Sequence, residues 1–179
     1  MRWIIPFVVC ATPAFAQTCP QAPDHSARLA EIVAALGAAP SAQAARPYTQ
    51  ELWELWLDAP DPIAQTILDD GMAQRESFDF LGARDTLDRL VEYCPDYAEG
   101  YNQRAFASFL RRDYEAALFD LNAALDIMPN HIAALSGKAL TLMGMGRTQE
   151  GQEALRAALA LNPWLAERSL ITQPAGTDI

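Results

Sequence analysis

Residues 98–131 read AEGYNQRAFASFLRRDYEAALFDLNAALDIMPNH. The apolar spacing predicts one helix over 97–111 and a second over 114–127, with Asp113-Tyr114 in the turn between them. The same layout returns on both sides. Pro95, Pro129 and Pro163 stand 34 residues apart, and other columns keep step with them. Ala83, Ala117 and Gly151 are small, as are Gly71, Ala105 and Ala139. Leu87, Leu121 and Leu155 are large, and Leu90, Ala124 and Ala158 are apolar. Small and large residues at fixed places let two helices approach closely at one point and fill a gap at another.

This column pattern resembles the tetratricopeptide repeat. In the unit 98–131, Tyr101 stands in the first aromatic column and Ala105 in the small column, followed by Ala117, Leu121, Ala124 and Pro129. The unit 132–165 keeps Leu135, Ala139, Gly146, Leu155, Ala158 and Pro163, with Gly151 where alanine is usual. The unit 64–97 keeps Gly71, Phe80, Ala83, Leu87 and Pro95, and departs at the turn, where Phe78 replaces the usual glycine. A degenerate helical hairpin is traced over 24–63 through Leu36-Gly37, Trp53 and Trp56, its first helix shortened by Pro40. The resemblance implies an all-α, right-handed superhelical solenoid of antiparallel helix pairs. A C-terminal capping helix over 164–171 is expected to cover the last apolar face.

Helices are therefore expected at 25–37, 44–58, 62–76, 80–93, 97–111, 114–127, 131–144 and 148–161. Asp61-Pro62 and Asn162-Pro163 each place an N-cap acceptor before a proline at the first helical position. Asp96 to Glu99 has the layout of a capping box. Residues 17–23 and 172–179 are expected to be tails.

Residues 1–16, MRWIIPFVVCATPAFA, carry one positive charge, a short apolar stretch and a small-residue ending. That is the layout of a secretory signal peptide, with cleavage expected after Ala16. Past that segment no apolar run is long enough to predict a membrane span. Cys19 and Cys94 then remain as an even pair, which leaves two arrangements open: a disulfide or two separate thiols. Among the 179 residues, 13 Lys and Arg against 23 Asp and Glu give a formal charge of −10. This balance argues against nucleic-acid phosphates or an anionic bilayer face as the main partner. An Ala-rich acidic chain behind such a leader suits a Gram-negative periplasm.

In the resembled family, one stripe of each unit's first helix faces the concave surface. Here the stripe comprises Gln65, Leu68, Met72 and Arg75, then Glu99, Asn102, Phe106, Phe109 and Leu110, then Ala133, Ser136, Leu140 and Met143. Leu68, Met72, Asn102, Phe106, Phe109, Leu140 and Met143 are the candidate groove residues. Apolar strips of this kind mark interaction surfaces, and Met and Phe adapt to varied side chains. A protein or peptide segment laid in the groove is the expected occupant. The alternative is cover by the chain's own tail or by a second copy in a homo-oligomer. Only Asn102 matches the Lys and Asn set with which such domains clamp a terminal carboxylate, so no clamp is expected. Trp53 and Trp56 fall in large packing columns and are expected in the core. His25 and His131 are far apart in sequence, and His131 falls in an inter-repeat turn, where a surface position is expected. No G-x-S-x-G, HExxH or Walker-type loop is present. Asp69-Asp70-Gly71 lacks the remaining ligands of a calcium loop. Neither catalytic residues nor a metal or other cofactor are expected.

Overall fold

The computed structural model describes residues 18–172. The expected signal peptide and most of the C-terminal tail lie outside them. Eight helices follow one another: α1 (Ser26–Ala38), α2 (Ala42–Trp56), α3 (Pro62–Glu76), α4 (Phe80–Tyr93), α5 (Ala98–Leu110), α6 (Tyr114–Ile127), α7 (Ile132–Gly144) and α8 (Thr148–Leu161). No described helix is long and apolar enough to cross a membrane.

The pairs α3–α4, α5–α6 and α7–α8 pack as hairpins and stack in chain order through α4 on α5 and α6 on α7. The 34-residue columns form the contacts. Ala83, Ala105, Ala117, Ala139, Leu87 and Leu155 are buried. Gly151 departs from alanine because Met143 fills its space: a Cβ there would lie 2.7 Å from the Met143 Cγ. Each hairpin turns through one residue in the left-handed region, at Phe78 (φ 66°), Arg112 (φ 60°) and Gly146 (φ 77°). Only the third of these is a glycine, for which that region carries no steric penalty.

Helix starts are capped by Asp61, Asp79 and Asp113, whose side chains accept the backbone N–H of Ala64, Gly82 and Ala116. The Ala64 N–H, and after it the Tyr93 hydroxyl, hold the Asp61 carboxyl below its usual pKa. The capping box expected at Asp96 does not form. Tyr97 is the N-cap of α5 and makes no side-chain cap, because Glu99 is drawn into the interior by His131. The expected C-terminal capping helix is only a 3₁₀ turn, Ala166–Leu170. Asn162 accepts the Trp164 N–H in a local turn instead of starting an α-helix.

The N-terminal hairpin, α1–α2, is helical as expected but does not continue the stack as a fourth repeat. Its apolar face, with Leu29, Ile32, Leu36, Leu52 and Trp56, packs on Ile132, Met128, Leu161, Trp164 and Leu165. It thus spans from the first repeat to the third. At the far end the Trp164 Nε1–H donates to the Leu36 carbonyl at 3.2 Å. At the near end Cys19 and Cys94 form a disulfide, with Cα atoms 5.1 Å apart. Midway, Trp56 stacks on His131 with ring centroids 4.3 Å apart. The Tyr97 hydroxyl donates to the Trp56 carbonyl at 2.7 Å.

His131 is fully buried rather than at the surface, and Glu99 is 1% exposed. His131 Nδ1 accepts the Ala134 N–H at 3.3 Å, so Nε2 carries the proton donated to Glu99 at 2.8 Å. Asn102 and Gln103 supply Glu99 with further N–H donors. A buried carboxylate is tolerable when it is met in this way.

Four expected outcomes test these assignments, all read by urea denaturation of residues 17–179. Phe78→Gly removes left-handed strain from a residue that is 80% exposed and should raise stability by about 1 kcal/mol. Cys19→Ser should lower it by about 4 kcal/mol relative to the oxidised protein, the chain-entropy value for a loop of this size. His131→Phe keeps a ring against Trp56 but strands the Glu99 charge, at a cost of about 3 kcal/mol. Adding Glu99→Gln should return much of that loss, since no charge is then left without a partner.

Candidate functional site

The first helices of the three stacked units, α3, α5 and α7, present their inner stripe side by side. In an open array this stripe would face solvent. Here α2 lies opposite, and the two surfaces enclose a cavity of about 460 Å³. Its wall on the array side includes Met72 and Arg75 of α3, Asn102, Phe106 and Phe109 of α5, and Leu140 of α7. The facing wall is Thr49, Leu52, Trp53 and Trp56 of α2, with Leu165 and Glu167 at the C-terminal end. Trp53 and Phe106 are 38% and 44% exposed, so they stand at the rim where the chamber opens to solvent.

Five of the seven expected groove residues, Met72, Asn102, Phe106, Phe109 and Leu140, therefore share one chamber. Leu68 does not. The α2–α3 linker, through Leu57 and Ala59, covers it, and it is buried with Leu87 and Leu90 in the first repeat's core. Met143 does not line the chamber either, because it packs over Gly151. Trp56 is buried as expected, whereas its edge-on neighbour Trp53 is part of the chamber rim. Leu52, Trp53 and Gln103 are lining residues that the repeat pattern did not single out. The apolar side of α2 was visible at Leu52, Trp53 and Trp56, but its opposing surface is assembled from three separate helices further down the chain, from Met72 to Leu140.

The polar groups are few. The Arg75 guanidinium sits over the Phe106 ring, 4.7 Å from its centroid, and donates to the Gln103 side-chain oxygen. Burial draws its pKa down from the usual value, against the opposing pull of Glu76 and Glu99. Among the described residues no carboxylate forms an ion pair with it. On the α7 side, Ser136 Oγ and Thr141 Oγ1 are buried without a hydrogen-bond partner among the described residues. Asn102 is turned onto Glu99, at 3.1 Å and 3.2 Å to its two oxygens, and so is occupied. His131 is shut behind Trp56 and Glu99, and His25 pairs with Asp58 at 2.8 Å away from the chamber. The arrangement suits capture of an apolar group.

No family model matches the chain. A TPR repeat-containing protein of Rhizobium etli is 38% identical over 93 residues, 52% of this chain and 40% of that protein. A tetratricopeptide repeat protein 36 homolog of Nematostella vectensis is 41% identical over 64 residues, 36% of this chain and 35% of that one. The chain thus spans well under half the length of these two curated relatives. Among solved structures, the first TPR of Spaghetti (RPAP3), bound to the HSP90 peptide SRMEEVD, superposes with a TM-score of 0.58 at 19% identity. That match covers 60% of this chain and 85% of the other. The three stacked hairpins of this chain are thus similar in sequence to curated tetratricopeptide repeat proteins and share the fold of solved TPR domains.

Proposed function

We propose that this protein is a non-catalytic interaction module of the cell envelope, exported to the periplasm, where it holds an apolar segment of a partner protein at the chamber rim. The observation that carries this reading is the pair of large, solvent-open side chains, Trp53 and Phe106, standing at the mouth of an apolar chamber. Exposed aromatic and aliphatic groups around a concavity are the usual anchor points for a partner's side chains. The peptide-bound TPR domain among the structural neighbours supports the same class of function. The compartment is supported by the leader-like residues 1–16 and by a disulfide whose Cys94 is buried, since such bridges persist in oxidising surroundings.

The segment that docks must adapt to α2, which already occupies the face where another helix would lie. A short extended piece carrying one or two large apolar side chains fits what remains, and a full amphipathic helix of about 10–12 Å diameter does not.

Site-specific photo-crosslinking from position 106, in the cells that make the protein, tests this reading. A discrete crosslink to one other envelope protein is expected, and Phe106→Asp with Phe109→Asp should abolish it while far-UV circular dichroism stays unchanged. A crosslink only to a second copy of the chain would replace the adaptor with a homo-oligomer subunit.

A further inference from the structure

We propose that the chamber between α2 and the α3, α5 and α7 stripe is also a binding site for a small amphipathic carboxylate, a molecule with a hydrocarbon body and one anionic end placed on Arg75. This goes beyond partner docking at the rim and does not depend on it.

The size of the space is the first argument. The chamber is a recess open to solvent at its aromatic rim, and its volume of about 460 Å³ falls within the roughly 300–1,000 Å³ of small-ligand sites. Most of its lining residues are apolar, Leu, Ile, Met, Ala, Phe and Trp, so the body of the occupant is hydrocarbon or aromatic.

The second argument is charge. Arg75 places a guanidinium on these apolar walls, and its contacts are neutral: the Phe106 ring and the Gln103 oxygen. A cation taken partly out of water favours an opposite charge beside it. The planar fork of arginine matches a carboxylate with two parallel hydrogen bonds. The other charged lining residue is Glu167, on the 3₁₀ turn after α8. A monoanion is therefore favoured with its charged end on Arg75 and away from Glu167, while Glu99, which Gln103 joins to this arginine, is itself engaged by His131.

The test titrates the oxidised full-length chain with decanoate, decanol and decyltrimethylammonium, each below its micelle concentration. Tryptophan fluorescence, to which Trp53 and Trp56 on the chamber wall contribute, and calorimetry follow the binding. Decanoate is expected to bind one to one and at least about tenfold more tightly than decanol, the effect of one charge-assisted hydrogen-bonded pair. The ammonium probe should be the weakest of the three. Arg75→Gln should bring decanoate down to the level of decanol while leaving decanol unchanged, which also shows that the chamber survives the substitution. Arg75→Lys should fall between the two, and Leu140→Trp, which fills the space, should abolish binding of all three. Equal affinity for decanoate and decanol, undiminished decanoate binding in Arg75→Gln, or no saturable binding by any probe would overturn the proposal.

Discussion

Glu99 has been taken almost wholly out of water, and a buried carboxylate is costly unless hydrogen-bond donors meet it. Its donors come from two places, its own helix through Asn102 and Gln103 and the start of the next repeat through His131, and a third element closes over them. The third contribution is indirect. Trp56 lies flat on the His131 ring and seals the pair from solvent. One buried charge thus ties two adjacent repeats to each other and both to the N-terminal hairpin. The chamber exists because that hairpin is held across the inner face and not at the end of the stack.

The hairpin's position changes what the repeat array offers. An uncovered array presents a groove in which a helix can be laid. Here α2 fills that role in cis, and being part of the same chain it acts at an effective concentration that a separate partner must match. What remains is a recess with an aromatic rim. Arg75 lies half-buried against the Phe106 ring and the Gln103 side chain, and makes no direct ion pair among the described residues.

The repeats were legible in the sequence, and for a physical reason. Neighbouring hairpins touch at fixed places, so Ala83, Ala117 and Gly151, or Leu87, Leu121 and Leu155, recur with the period of the contact. The inner stripe was legible for the same reason, and five of its seven chosen residues meet in the chamber. The non-repeating parts were not. Nothing in the periodicity says that Leu36 pairs with Trp164, or that a tryptophan on α2 roofs a histidine on α7, because each of these contacts occurs once. Leu68 was misplaced because its cover is a linker and not a helix of the array. Asp96 to Glu99 has the spacing of a cap, but a buried histidine bids for the same carboxylate and wins.

The long reach of the hairpin also fixes an order of assembly. Trp164 and Leu36, which meet at its tip, are separated by 128 residues in the chain, while each repeat hairpin closes over a few tens of residues. Local contacts form quickly and distant ones slowly, so the repeats are in place before α1 and α2 have anything to land on. The disulfide can close as soon as α4 is complete, and it then holds the start of the hairpin against the first repeat while α7 and α8 are still forming. Until the third repeat folds, Leu29, Ile32, Leu36 and Trp56 face water, and this interval is when the young protein is most open to chaperones and to aggregation.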